Sequence, residues 1–332
     1  MPQNPALAAP AAGSRPSPSA GGFDGGAAQW TLWQLCDSGL PTGGFAHSGG
    51  LEAAAANGLV RAKHTGSLLR FVRGALANAA SLQLPLMRET LRGRTLDEWL
   101  RVDSVAHACI TAEASRRASL AQGAGLLRAA QAMFPLGDEC GGIISKFRGL
   151  VRGGSAAISE AAVGGVKNDD YEIEKERAVI ARGHHAPAFG VVCGALGIGE
   201  GQAARAFMFL VARDVLSAAT RLSLIGPLEA GRLVSSLSSY VEALVTATGH
   251  GGDVRHLSQE EVEEKDGAEE EEEEDRERRS GQGDGPDEQE LRRWEEWGGA
   301  GEGVAGRICQ VDPVQDIVQG MHDRLYSRMF NS

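Results

Sequence analysis

The stretch ARAFMFLVARDVLSAATRL, Ala204 to Leu222, decides the fold class. Its apolar side chains recur three or four residues apart, so they form one stripe along an α-helix. The stripe consists of Phe207, Leu210, Val211, Ala218 and Leu222, and Ile225 follows it. No run of alternating β-branched and polar residues bounded by turn signals occurs in the chain, and aromatic residues make up only 5% of it. The sequence therefore predicts an all-α protein.

Helical patterns continue on both sides of this stretch. Thr95 and Glu98 have the spacing of a capping box, in which each side chain bonds the other residue's backbone amide at a helix start. Two further helical stripes are Leu68, Val72, Ala75, Leu76 and Ala79, and then Leu233, Leu237, Tyr240, Val241, Leu244 and Val245. We expect the second of these to end at Gly249.

The segment FGVVCGALGIG, Phe189 to Gly199, places Gly190 and Gly194 four residues apart beside an apolar stripe. Glycines at this spacing let a second backbone approach closely. The pattern predicts a central, tightly packed helix and contains no cofactor motif.

Composition excludes several classes of protein. The 332 residues are 42% hydrophobic, enough for one folded domain of about 200 residues. The formal net charge is −11, with much of the acid in the run Glu269 to Asp275, and we expect no nucleic-acid partner. No apolar run approaches the roughly 20 residues of a membrane span. The five cysteines form no Cys-x-x-Cys pair, which fits a protein of the reducing cytoplasm rather than a disulfide scaffold or zinc ribbon.

The chain divides by composition into a helical domain and several polar segments. Residues 1–29 are rich in Ala, Pro, Gly and Ser and should form a disordered extension. The other predicted parts are a helical domain at 30–249 with a Gly-rich insertion at 141–170, a disordered acidic insertion at 250–306, and a helical tail at 307–332.

The tail begins with Asp312 as N-cap and Pro313 at the first helical position, which predicts a helix to about Met329. Ile317, Met321 and Leu325 lie one turn apart on its apolar face. Because this helix is too short to be stable alone in water, we expect it to order mainly on meeting a partner.

The glycine stretch LPTGGFAHSGGLEAA, Leu40 to Ala54, contains candidate catalytic residue types, but their pattern favours a turn. A nucleotide-binding P-loop requires a lysine after its last glycine, and Phe45 follows Gly44 here. Asp37, Ser38, His47 and Ser48 lie too close along the chain for a typical hydrolase triad. The structural interpretation is a turn at Pro41, Gly43 and Gly44, with Phe45 filling the core and Ser48 and Glu52 helping to start a helix.

Histidines raise the possibility of a metal site. His184 and His185 are adjacent, and His47, His107 and His322 lie elsewhere in the chain. Adjacent histidines project in different directions on a helix, whereas a site within one helix uses a spacing of four. We expect His184 or His185 to cap or hydrogen-bond near the helix that begins at Ala186 and Pro187, and we predict no metal ligands.

Four blocks of sequence carry a family resemblance. They are WQLCDSGLPTGGFAHSGGLEAA, HHAPAFGVVCGALGI, FMFLVARDVLSAATRLSLIGPLEAGRL and VQGMHDRLYSRMFNS, in that order. Together they resemble the UreF family of urease accessory proteins. The resemblance implies an all-α, dimeric scaffold without catalysis or cofactor, which binds the accessory protein UreD (UreH in some organisms). It then recruits the GTPase UreG, and the assembly delivers nickel to apo-urease.

The resemblance also assigns candidate partner-binding residues. Arg205 and Phe209 match an arginine and an aromatic that face the GTPase in the family. The tail that docks onto UreD is matched by His322, Asp323, Arg324, Leu325, Tyr326 and Arg328.

Two other functions remain open at this stage. One is an activator of the partner's GTP hydrolysis that inserts an arginine, for which the candidates are Arg205, Arg213 and Arg221. The other is a metalloenzyme built on the histidines, which lacks evident ligand spacing.

Overall fold

The computed structural model of the protein describes residues 25–161, 181–249, 308–309 and 311–331. The all-α prediction is confirmed, since these residues form helices, turns and loops and no β-strand. The helices in chain order are α1 (Gly25–Cys36), α2 (Leu51–Ala56), α3 (Thr65–Asn78), α4 (Leu84–Arg92), α5 (Leu96–Cys109), α6 (Glu113–Met133), α7 (Asp138–Ala161), α8 (His185–Ala195), α9 (Glu200–Arg221), α10 (Pro227–Ser236), α11 (Ser238–Gly249) and α12 (Pro313–Met321). Shorter helical turns lie at Gly44–Ala46, Ala79–Gln83 and His322–Arg324.

The core is built around α8, whose residues from Ala186 to Cys193 are all buried. This helix packs most closely on α4 and α6. A Cβ atom added at Gly190 would collide with the carbonyl oxygen of Met87 and the hydroxyl of Thr90, and one at Gly194 would lie 2.8 Å from the carbonyl oxygen of Leu91. The predicted central helix with a close backbone approach is therefore confirmed.

The predicted start of α5 is confirmed. The amide of Glu98 donates to the hydroxyl of Thr95 at 3.3 Å and the amide of Thr95 donates to the Glu98 carboxylate at 3.0 Å, which completes the capping box of α5. Helix α11 reaches Gly249, beyond which the described residues stop, so the helix end predicted there stays a prediction. The stripe before that glycine, however, belongs to two helices, because the chain turns at the buried Leu237 between α10 and α11.

The Gly-rich insertion predicted at 141–170 is wrong for its first part, where α7 extends to Ala161. Ile144, Phe147 and Val151 are buried and follow one another at helical spacing. A Cβ added at Gly142, Gly149 or Gly153 would meet no atom within 4 Å. The glycines thus lie on the open side of a helix whose other face packs in the core, and their number obscured the apolar period.

At the amino end, α1 includes Gly25 to Gln29, so the last five residues of the predicted disordered extension are helical. Ala27 and Ala28 have high helix propensity and extend the helix backward. Residues 1–24 of the predicted extension, residues 162–170 of the Gly-rich segment and the acidic insertion at 250–306 lie outside the described residues. In the described ranges, no helix is both long and apolar enough for a membrane span.

Candidate functional site

The glycine stretch forms the turn that its sequence predicts. Gly43 has φ of 82° and Gly50 has φ of 91°, values that residues with a side chain rarely adopt. The amide of Thr42 donates to the carbonyl of Leu40 at 2.7 Å, and the amide of Ala46 donates to that of Gly43 at 3.0 Å. The hydroxyl of Ser48 accepts the amide of Glu52 at 3.4 Å in the first turn of α2.

The prediction that Phe45 fills the core is wrong, because its side chain is 68% exposed. The turn at Gly43 and Gly44 carries Phe45 outward, while His47 and Ser48 are buried instead. Gly44 lies against α9, where an added Cβ would be 2.7 Å from Oδ2 of Asp214. The inward side of this turn is thus occupied by backbone and small polar groups.

Glu52 connects the glycine stretch to the carboxyl-terminal tail. Its carboxylate is buried, and Oε2 lies 3.1 Å from Nε2 of His322. The amide of Met329 donates to Oε1 at 2.5 Å and the amide of Phe330 donates to Oε2 at 3.2 Å. A charged residue near the start of the domain therefore holds the last residues of the chain.

The tail packs on its own helical domain, which corrects the expectation that it orders mainly on a partner. Gln315, Val318 and His322 are buried, and α12 contacts α2, α3 and α6. The side-chain amide of Gln315 donates to the carbonyl of Phe71 at 3.0 Å. Because these contacts bury apolar surface and pair the side-chain nitrogen of Gln315, the short helix does not have to be stable alone.

The tail helix also differs in length from the prediction. It ends at Met321 rather than near Met329 and is followed by one short helical turn, His322–Arg324. On the predicted apolar face, Ile317 is 64% exposed, whereas Met321 and Leu325 are half-buried and pack against the core. Helix α12 thus buries one face and leaves apolar side chains on another.

The predicted partner-binding residues of the tail separate into two groups. His322 is fully buried and Leu325 is half-buried, so the protein's own fold takes up most of their surface. The remaining four are exposed, namely Asp323, Arg324, Tyr326 and Arg328. Asp323 accepts two hydrogen bonds from Arg117 of α6, at 2.8 and 2.6 Å, and one from Arg328 at 3.0 Å.

Arg205 and Phe209 lie together near the start of α9. Four residues separate them, which places both on one face of the helix, where Arg205 is 53% and Phe209 40% exposed. Arg205 forms an ion pair with Glu242 of α11. Hydrogen bonding within this pair raises the pKa of Arg205 and lowers the pKa of Glu242.

The other two arginines proposed for GTPase activation have internal partners. Arg213 donates to the carbonyl of Cys36 at 2.5 Å and to Asp214 at 2.7 Å. Arg221 donates to the carbonyl of Phe45, and its guanidinium carbon lies 4.3 Å from the ring centre of Phe330. These two residues hold α1, the glycine stretch and the tail against α9.

His184 and His107 form a hydrogen-bonded pair rather than an evident metal site. His107 Nδ1 lies 3.1 Å from His184 Nε2, and His184 Nδ1 lies 3.0 Å from the hydroxyl of Ser119. The buried Asp103 accepts the backbone amides of residues 182, 183 and 184 at 2.5, 2.9 and 2.7 Å. Burial lowers the pKa of His184 to about 3, so its ring is neutral. The expected hydrogen bonding near the start of α8 is confirmed.

A cavity of about 180 Å³ lies between the glycine stretch, α6, α9 and α12. His47 and His185 line it together with Asp214 and Gln319. Burial lowers the pKa of both histidines, that of His185 to about 4, and raises the pKa of Asp214. Among the residues that the structure describes, no group of three or more His, Cys, Asp or Glu side chains could hold a metal ion.

Comparison with known proteins identifies the family. The sequence model of the family described as UreF matches residues 62–238, more than half of the chain. The chain belongs to the UreF family. It is 33% identical over 304 residues to urease accessory protein F of Arabidopsis thaliana, covering 92% of each chain. It is also 37% identical over 216 residues to urease accessory protein F of Oryza sativa subsp. indica (65% of this chain, 71% of the relative). With urease accessory protein UreF of Paenarthrobacter aurescens the identity is 31% over 219 residues (65% and 82%).

The UreF match runs from the segment before α3 into the first residue of α11. It includes Arg205 and Phe209 but neither the glycine stretch nor the tail. The contact between those two outer segments was missed at the sequence level, although Glu52 belonged to the predicted stretch. A single carboxylate in the otherwise apolar run LEAAAA was the available signal, since a buried charge requires donors from elsewhere in the fold.

Proposed function

We propose that this chain is a non-catalytic assembly factor in urease maturation. It binds a UreD/UreH-type accessory protein, recruits the GTPase UreG, and acts as a cytoplasmic homodimer in the delivery of nickel to apo-urease. Membership of the UreF family supports this proposal, and the relatives compared above are named urease accessory proteins.

The observation that carries the proposal is the second apolar face of the tail. Helix α12 is held in the domain by Gln315 and Val318, yet Val314 and Ile317 remain exposed on the same helix. Tyr326 and Met329 add exposed apolar surface beyond its end. Exposed apolar and aromatic side chains that share a segment with arginines are typical of protein interfaces. We assign this surface, defined as Val314, Ile317, Asp323, Arg324, Tyr326, Arg328 and Met329, to the UreD/UreH-type partner and call it the tail surface.

A second exposed site, formed by Arg205 and Phe209, supports a separate contact with the GTPase. Arg205 and Phe209 combine a charged and an aromatic group on rigid α9, and arginine and aromatic residues are enriched among interface hot spots. The arginine is already oriented by Glu242, so binding of an acidic group of the partner requires exchange of that ion pair.

The exposure of Arg205 also favours it as the arginine in the second candidate function, activation of GTP hydrolysis. Arg213 and Arg221 are held by groups of this protein, whereas the guanidinium of Arg205 lies at the surface. GTP turnover by the partner, measured with the natural protein and with Arg205→Lys, separates recruitment from activation. Activation requires faster turnover with the natural protein and loss of that effect with lysine, which lacks the planar guanidinium.

The test of the main proposal is Ile317→Asp. A charge placed in the tail surface should weaken binding of the UreD/UreH-type protein by about tenfold or more, measured by calorimetry on purified proteins. The matched control is Leu228→Asp, which introduces the same charge at a site that is 81% exposed in the first turn of α10. Both variants should keep the natural melting temperature. Undiminished binding by Ile317→Asp would overturn the assignment of the tail surface.

A further inference from the structure

The carboxylate of Glu52 is bonded by two parts of the tail. His322 lies seven residues before Met329 and eight before Phe330. His322 contacts the carboxylate at the start of the interval, and the amides of Met329 and Phe330 donate to it at the end. The residues between them, Asp323 to Arg328, are therefore held as a loop with both ends at one buried group. This loop carries Asp323, Arg324, Tyr326 and Arg328 of the tail surface.

Further contacts hold both ends of the same loop. At its beginning, Asp323 is bound by two hydrogen bonds from Arg117 of α6. Beyond its end, the ring of Phe330 lies under the guanidinium of Arg221, and the amide of Asn331 donates to the carbonyl of Ala46 at 2.8 Å. The loop is thus attached to α6, to α9 and to the glycine stretch.

The buried carboxylate of Glu52 should contribute more to holding the tail than the contacts at the surface do. The ion pair between Arg117 and Asp323 is exposed, and solvent-exposed pairs contribute little. Glu52 is buried, so its replacement leaves two tail amides and an imidazole without their acceptor in a site from which water is largely excluded. Loss of this one acceptor should therefore release the end of the tail more effectively than loss of a surface charge.

We propose that Glu52 is a positioning residue for partner binding, which holds the Asp323 to Arg328 loop in the conformation that the UreD/UreH-type protein binds. Glu52 is buried and belongs to no exposed surface, so it acts through the tail. This inference rests on the proposed function of the tail surface. It gives the glycine stretch a role, since the turn at Gly43 and Gly50 places α2 where Glu52 meets the last residues of the chain.

The experiment compares Glu52→Gln with the natural full-length chain. Glutamine keeps the size of the side chain but replaces one acceptor oxygen by a donor, which then faces donors of the tail. Hydrogen exchange of the Met329 and Phe330 amides in the free protein should become faster by about tenfold or more, and affinity for the UreD/UreH-type protein should fall by about tenfold or more. The matched control is Glu113→Gln, which removes an exposed carboxylate paired with Arg116 within α6.

A second variant approaches the same contact from the tail. His322→Ala removes the imidazole while Glu52 is retained, and it should accelerate exchange of the same two amides and weaken partner binding. If Glu52→Gln fails to fold, this variant decides the question, because the glycine stretch is then unchanged.

The outcomes distinguish this inference from the proposed function. Unchanged exchange at Met329 and Phe330 in the folded variants overturns the inference. Faster exchange with undiminished binding overturns it as well, because the position of the loop then has no effect on the partner. The proposed function is tested separately by Ile317→Asp, which leaves Glu52 in place. Weak binding by that variant together with full binding by Glu52→Gln retains the tail surface and rejects the positioning role.

Discussion

At Gly190 the absence of a side chain permits a close contact between α8 and α4 in the core. A methyl group there would collide with the carbonyl oxygen of Met87 and the hydroxyl of Thr90, and that hydroxyl also donates to the carbonyl of Pro187 at 2.9 Å. We expect Gly190→Ala to lower the free energy of unfolding by about 1 to 3 kcal/mol, because backbone cannot move away as a flexible side chain can. Thermal denaturation followed by circular dichroism measures this change.

The control for this prediction is Gly149→Ala in α7, where the added methyl group meets no atom within 4 Å. Alanine is favoured over glycine inside a helix by about 1 kcal/mol, so this variant should melt at the natural temperature or slightly above it. Equal melting temperatures for the two variants would show that α8 and α4 can separate without cost.

The ring of His184 makes the stability of the fold depend on pH. Its folded pKa is about 3, below the value of about 6.5 in an unfolded chain, because burial penalises the charged form. The unfolded state therefore binds more protons between these values, and stability falls as pH falls below about 6.5. Between pH 7 and pH 5 this group should cost about 2 kcal/mol of unfolding free energy.

The contribution of His184 is isolated by comparison with His184→Gln. Glutamine can keep a hydrogen bond to Ser119 or His107 but does not titrate, so the variant should lose less stability between pH 7 and pH 5 than the natural protein. Urea denaturation at the two pH values measures both losses. Identical losses would show that His184 is charged in the folded protein or is not the titrating group.

At the scale of the elements, the sequence predicts those whose determinants are local. The capping box at Thr95, the period of α9 and the spacing of Gly190 and Gly194 in α8 each depend on residues within a few turns of one another, and each is present. The exposure of Phe45 and the burial of Glu52 are set by residues about 170 to 280 positions away, namely Arg221, His322 and Phe330. No periodicity within the glycine stretch contains that information.

The packing of helix α12 also depends on residues that are distant in sequence. Its two apolar faces both fit a helical period, and the sequence predicted only the face of Ile317, as the one that meets a partner. The structure buries Val318 with Gln315 and His322, where the side-chain nitrogen of Gln315 and Nε2 of His322 find partners at Phe71 and Glu52. Choice between the faces therefore depended on hydrogen-bond partners that only the fold brings together.

Removal of residues 311–332 should consequently destabilise the domain. Burial of Val318 and Phe330 contributes about 1.5 to 3 kcal/mol each, and the truncated chain also loses the partners of Glu52. We expect the melting temperature to fall by about 5 to 10 °C. Full-length Ile317→Asp is the control, since it changes the exposed face of α12 and should melt normally. A truncated chain that melts at the natural temperature would restore the expectation that the tail orders only on its partner.

At the scale of the whole molecule, α9 connects the two surfaces assigned to partners. Arg205 lies in its second turn, and Arg221, which contacts Phe45 and Phe330, is its last residue. Sixteen residues of helix separate them, which corresponds to about 24 Å. Two proteins can therefore contact the chain at the two ends of one rigid element without sharing residues.

The last prediction is that the two surfaces can be inactivated separately. Arg205→Ala should weaken binding of the GTPase by about tenfold or more and leave the affinity for the UreD/UreH-type protein unchanged, while Ile317→Asp should do the reverse. Arg101→Ala, which removes an exposed arginine from α5, is the control for the first variant. Pairwise binding constants measured with purified proteins give the result. Either variant alone should reduce nickel incorporation into apo-urease in a reconstituted assembly, because the proposed scaffold role requires both partners to be bound at once. Loss of both affinities in Arg205→Ala, with a normal melting temperature, would show that the two surfaces belong to one binding site.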